Sequence, residues 1–88
     1  MPNQTQKHGA QQLFAVNMRR IRLEKKLTQE KVAEAACLHP NYISSVERGE
    51  RNISIGNIEK IAFALDVCMS ELVIDAQLQE KKQKILQR

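Results

Sequence analysis

Apolar residues in this chain recur three and four positions apart, and nowhere do they alternate with polar ones for long enough to make a strand. That spacing confines the chain to helices packed on helices. It is interrupted at short intervals by residues that start or stop helices, so the helices must be short. Over residues 12–26, Phe14, Met18 and Ile21 form one stripe, with Leu23 and Leu27 near its end. The opposite face carries arginines and lysines. Thr28 is a good N-cap for a second helix, and Gln29 and Glu30 fill its first turn, where an acid suits the helix dipole. Val32, Ala33 and Ala36 give that helix a narrow face of small residues, which lets another helix approach closely.

Cys37 and Leu38 make a tight connection. Pro40 follows, and it would break a helix interior. At the first helical position, however, its missing N–H has no helical partner to lose. The sequence therefore predicts a third helix over residues 40–48, with His39 at its cap. Ile43 and Val46 face inward; Asn41, Ser44, Ser45 and Arg48 face out; Gly49 stops the helix. After a loop, Ser54 caps a fourth helix whose apolar side is Ile55, Ile58, Ile61, Ala62 and Leu65. Asp66 and Val67 break it. A fifth helix is expected from near Met69, carrying Leu72 and Val73, and the tail beyond is rich enough in helix formers to extend it. The reading is an all-α chain of five short helices: a polar flexible arm at residues 1–11, a domain at 12–75 and a charged helical tail at 76–88.

The chain's 88 residues suit one small domain, which is marginal alone and commonly gains from oligomerisation. Aromatics are only 3%, against modules that stack bases on aromatic platforms. The net charge of +4 points to a polyanionic partner only weakly, but the charge is concentrated. Arg19, Arg20, Arg22, Lys25 and Lys26 crowd the first helix, and Lys81, Lys82, Lys84 and Arg88 the tail. Cys37 and Cys68 have no zinc spacing; their apolar neighbours predict buried thiols in a reducing cytoplasm. No apolar run approaches the roughly 20 residues of a membrane span, and the N-terminus has no signal-peptide core. His8 and His39 have no paired carboxylates, and there is no Gly-rich phosphate loop. Catalysis, a metal and a cofactor are accordingly not expected.

Two short helices joined by a tight turn, the first with small residues and the second with a polar outer face, describe a helix-turn-helix. The second helix of such a pair enters a major groove about 12 Å wide and offers short polar side chains to base edges. Asn41, at its first turn, can bond adenine at N6 and N7 together. Ser45 lies one turn further on and reaches the same groove, and Ser44 at the edge reaches phosphate.

The stretch "IRLEKKLTQEKVAEAACLHPNYISSVERGERNISIGNIEKIAFALDV" resembles the lambda-repressor/Cro (XRE-type) helix-turn-helix domain, with the resemblance running over residues 14–72. It is carried by Arg22, Leu27-Thr28-Gln29, Val32-Ala33, Ile43-Ser44, Val46-Glu47, Gly49 and the Ile58 to Leu65 helix. Within that family, "YISSVERGERNISIGNIEKIA" is most similar to the controller proteins of restriction–modification systems. The resemblance implies a dimeric, sequence-specific regulator of transcription on a pseudo-palindromic operator. Its expected partners are double-stranded DNA, a second copy of the chain and RNA polymerase, with no membrane. By the same resemblance Asn41, Ser45 and Pro40 face the bases. Pro40 stands where controller proteins often carry a basic residue able to read guanine. Gln29 bonds a phosphate and braces the third helix, and Tyr42, Arg48, Arg51 and Asn52 lie along the DNA backbone, with His39 as cap or phosphate contact. Arg22 and Glu47 pair as a structural link, and dimerisation uses the last two helices through Leu72, Val73 and Ile74. Lys26 and Cys37 occupy positions where the family often has glycine, which at Cys37 implies a left-handed backbone at a cost of about 1 kcal/mol. The competing reading is an antitoxin or partner-binding regulator that acts through protein contacts, with the tail as a partner helix.

Overall fold

The computed structural model of the chain describes residues 9–75. Four α-helices follow one another: α1 (Gly9–Glu24), α2 (Gln29–Ala36), α3 (Pro40–Glu47) and α4 (Ile55–Leu65). A single 3-10 turn, Met69–Leu72, closes the described chain, and no strand occurs among the described residues. The capping side chains are in place. Thr28 Oγ1 accepts from the Lys31 N–H at 3.0 Å, and Ser54 Oγ accepts from the Asn57 N–H at 3.1 Å. Each such cap stabilises its helix by about 1 kcal/mol. Pro40 occupies the first turn of α3, behind the cap His39.

All four helices end in the same way. A backbone N–H reaches back five residues: Leu27 to the Arg22 carbonyl (3.1 Å), Leu38 to Ala33 (2.9 Å), Glu50 to Ser45 (3.1 Å) and Val67 to Ala62 (3.0 Å). The residue before each of these is left-handed: Lys26 (φ 59°), Cys37 (φ 58°), Gly49 (φ 75°) and Asp66 (φ 57°). This closure satisfies carbonyls that the helix leaves unpaired. It also turns Leu27, Leu38 and Val67 onto the core. Only one of the four left-handed positions is glycine, and there an added Cβ would require the tip of the exposed Gln12 side chain to move aside.

The core is one cluster. Phe14, Met18 and Ile21 of α1 meet Val32, Ala33 and Ala36 of α2, Ile43 and Val46 of α3, and Ile61, Ala62 and Leu65 of α4. The small face of α2 packs against both α3 and α4, and α1 packs against α3. The result packs α2 and α3 on one another, with α1 against α3 and α4 against α2.

Several expectations are corrected. The fifth helix is only the four-residue 3-10 turn. A continuing helix would need the Leu72 carbonyl for itself. Instead the buried Asn17 carboxamide donates to the Leu72 carbonyl (3.1 Å) and the Ile74 carbonyl (2.9 Å), pulling the chain off a helical path. Leu72 is fully buried against α1 and α4, so it belongs to the core and not to a dimer surface. Both Cys37 and Cys68 are exposed, since each lies in a connection outside the packed helix faces. Ile55, at the first turn of α4, is 75% exposed and stands apart from the apolar side it was assigned to. Gly9, Ala10 and Gln11 belong to α1 rather than to an arm, as their run into Gln12 and Leu13 favours helix. The tail expected at 76–88, and the arm up to residue 8, lie outside the described residues.

Candidate nucleic-acid interface

α3 is held from behind by a charged bracket. Arg22 Nε donates to Glu47 Oε2 at 2.6 Å and Arg22 Nη2 to Glu47 Oε1 at 3.0 Å. The third arm of the guanidinium, Nη1, donates to the Leu27 carbonyl at 2.9 Å, in the turn before α2. Gln29 Nε2 adds a bond to Glu47 Oε1 at 3.1 Å. One carboxylate at the end of α3 is thus tied to α1 and to the start of α2. The hydrogen bond to Glu47 raises the Arg22 pKa above its ordinary value, against the opposing effect of burial. Such a buried pair fixes orientation more surely than it adds stability.

The outward side of α3 is polar and uneven. Asn41 is exposed, and its side chain makes no hydrogen bond among the described residues; only its backbone N–H is used, donating to His39 Nδ1 at 3.0 Å. Pro40 is exposed beside them. Tyr42 is half-buried against the core, and its hydroxyl accepts from Asn57 Nδ2 at 3.0 Å. The Arg51 guanidinium lies over the Tyr42 ring, 5.5 Å from its centre. Arg48 is occupied from three directions: Glu50 takes Nε (3.0 Å) and Nη2 (3.1 Å), while Ser44 Oγ takes Nη1 (2.6 Å). That bidentate bond with Glu50 and its charge raise the Arg48 pKa, and Arg48 in turn holds the Glu50 carboxyl below its ordinary value. Asn52 is exposed in the same loop. No cluster of metal-ligating side chains occurs among the described residues.

This arrangement is two short helices with a tight left-handed turn between them. The second helix presents an unengaged amide at its first turn and a cationic loop at its end. A helix-turn-helix family profile matches residues 18–72, more than half of the chain. The chain belongs to the helix-turn-helix family. Relatives of this helix-turn-helix chain include the control protein C.BamHI of Bacillus amyloliquefaciens, 50% identical over 62 residues, covering 69% of this chain and 76% of that protein. Among solved structures, the restriction-modification controller protein C.AhdI of Aeromonas hydrophila aligns with a TM-score of 0.69 and 42% identity, over 70% of this chain and 94% of its own. A hypothetical transcription factor from Neisseria aligns with a TM-score of 0.75 and 39% identity, over 82% of this chain and 83% of its own. These are regulators and not enzymes.

Within the helix-turn-helix, the residues singled out from the sequence separate into three groups. Asn41, Pro40 and His39 stand exposed at the front of the second helix. Gln29 lies at the start of α2, Tyr42 and Ser44 on α3, and Arg48, Arg51 and Asn52 in the loop after it; all but Asn52 are already bonded within the chain. Ser45 is corrected outright as a base reader. It is only 4% exposed, because the loop after α3 folds back over it. Its hydroxyl is consumed by the Tyr42 carbonyl and by Arg51. Three residues were missed. Asn57 orders Tyr42, Glu50 occupies Arg48, and Asn17 anchors the last turn. Asn17 alone left a signal, a polar residue beside the apolar stripe of Phe14, Met18 and Ile21. None of the described helices is long and apolar enough to cross a membrane.

Proposed function

We propose that this chain is a sequence-specific regulator of transcription that binds double-stranded DNA as a dimer on a pseudo-palindromic operator, in the manner of restriction–modification controller proteins. One observation carries the reading: an amide side chain, Asn41, stands exposed and unbonded at the first turn of a helix braced from behind. An amide so placed pairs with an adenine edge without giving up an internal bond. Around it, Arg51, Ser44, Tyr42 and Asn52 stand at the rim, where the DNA backbone passes on either side of the groove. Pro40 contributes shape and apolar contact only. The domain proper is residues 12–75, preceded in α1 by Gly9, Ala10 and Gln11, and RNA polymerase is a further partner in the cytoplasm. Val73, 50% exposed, and Ile74, half-buried beside it, remain the dimer surface after Leu72 is withdrawn to the core. A two-fold dimer would set its two reading helices on half-sites about 34 Å apart, one turn of DNA.

The test is a binding titration on the DNA upstream of the chain's own gene and on random duplex. Asn41→Ala should weaken operator binding by about 10- to 100-fold, the worth of one bidentate base contact, and leave random duplex nearly unchanged. Equal losses on both DNAs would remove Asn41 from base reading. Failure of the unaltered chain to bind at low salt, together with tight capture of a protein partner, would favour the partner-binding reading instead.

A further inference from the structure

The two arginines of the loop after α3 are held in opposite ways. Arg48 spends all three guanidinium nitrogens inside the chain, on Glu50 and Ser44. Arg51 spends one, its Nε, which donates to Ser45 Oγ at 2.9 Å. Its two terminal nitrogens carry no hydrogen bond among the described residues, so the fork that matches a phosphate is open.

The group that holds Arg51 is itself fixed. Ser45 is buried, and its hydroxyl proton is committed to the Tyr42 carbonyl at 2.7 Å. A hydroxyl has one proton and two lone pairs, so Ser45 is left as an acceptor aimed at Arg51. On its other side, Arg51 rests over the Tyr42 ring, and Asn57 pins that ring by its hydroxyl. We propose that Ser45 is a positioning residue for DNA binding: it touches no DNA, and it acts by holding the Arg51 guanidinium on the Tyr42 ring with its fork turned outward. The inference rests on the backbone contact proposed above for Arg51. Its physical basis is that an arginine ordered before binding has less conformational freedom to lose when it meets a phosphate.

The experiment is a double-mutant cycle of Ser45→Ala and Arg51→Ala, read as dissociation constants on operator and random duplex over a range of salt. Ser45→Ala should weaken binding to both DNAs alike, by roughly three- to tenfold, the worth of ordering one long side chain. It should leave the salt slope unchanged, since the phosphate contacts are the same in number. Arg51→Ala should weaken binding more and reduce the slope by about one. In the Arg51→Ala background, Ser45→Ala should add nothing. The same loss in both backgrounds would make Ser45 merely structural and overturn the proposal, as would wild-type binding by Ser45→Ala. If circular dichroism shows Ser45→Ala unfolded, Arg51→Lys decides, because it keeps the charge but has no Nε–H for Ser45. It should bind more weakly than wild type, and binding as tight as wild type would overturn the proposal. An Arg51→Ala variant with no effect would instead overturn the backbone contact itself, a failure visible in that single variant.

Discussion

Glu50 is an acidic side chain in a loop that should face a polyanion. It lies bidentate on Arg48, and both partners are more than half exposed, so the pair adds little to stability. Its effect should appear in binding. A carboxylate at this place repels phosphate and competes with it for Arg48. Glu50→Gln should therefore tighten binding to every DNA sequence and steepen the salt dependence by about one phosphate contact. Titrations of operator and random duplex at several salt concentrations check this, and an unchanged slope would show that Arg48 stays away from the backbone in either form. Specificity should fall in the same variant, because the added contact carries no sequence information.

At the level of the helix ends, three of four left-handed closures use a residue with a side chain. Cys37 is the informative one, since it lies in the turn of the helix-turn-helix itself and is exposed. Cys37→Gly should raise stability by up to about 1 kcal/mol, less the extra freedom that glycine gives the unfolded chain. The opposite change at the end of α3 should be unfavourable. Gly49→Ala places a Cβ at φ 75° and makes the exposed tip of Gln12 move aside, and a loss of about 1–2 kcal/mol is expected. Urea denaturation of the two variants under one set of conditions tests both signs. Both ends were visible beforehand, because a helix end is made by residues three to five apart. What could not be seen was that Gln12, far away in α1, closes over Gly49.

For the molecule as a whole, the last turn has two different jobs in adjacent residues. Leu72 fills the core, so Leu72→Ala should lower stability by about 2–5 kcal/mol and leave a cavity between α1 and α4. Val73 is proposed as dimer surface, so Val73→Asp should shift the chain toward monomer in sedimentation while the monomer remains folded. If Val73→Asp stays dimeric at micromolar concentration, the interface lies elsewhere on the chain. Denaturation must be compared at one protein concentration, since dimerisation stabilises the folded state by mass action. Asn17 decides how these two residues are placed. By taking the carbonyls of Leu72 and Ile74, it turns the chain so that one side chain goes in and the next goes out.

The sequence by itself determined the all-helical class, four of the five helices it predicts, three of their caps and the glycine stop at Gly49. Each follows from residues within a few positions of one another, whose hydrogen bonds are the same in any helix. The tertiary structure decided which polar groups remain free to act. Arg22 meets Glu47 across 25 residues, and Asn17 meets Leu72 and Ile74 across 55 and 57. Contacts of that span depend on how the helices pack, and no periodicity encodes them. Ser45 shows the consequence: its place on α3 turned it outward, and the returning loop then buried it beneath Arg51. Pro40 shows the reverse, a residue whose fixed φ and missing N–H placed it at the start of α3 from the sequence alone.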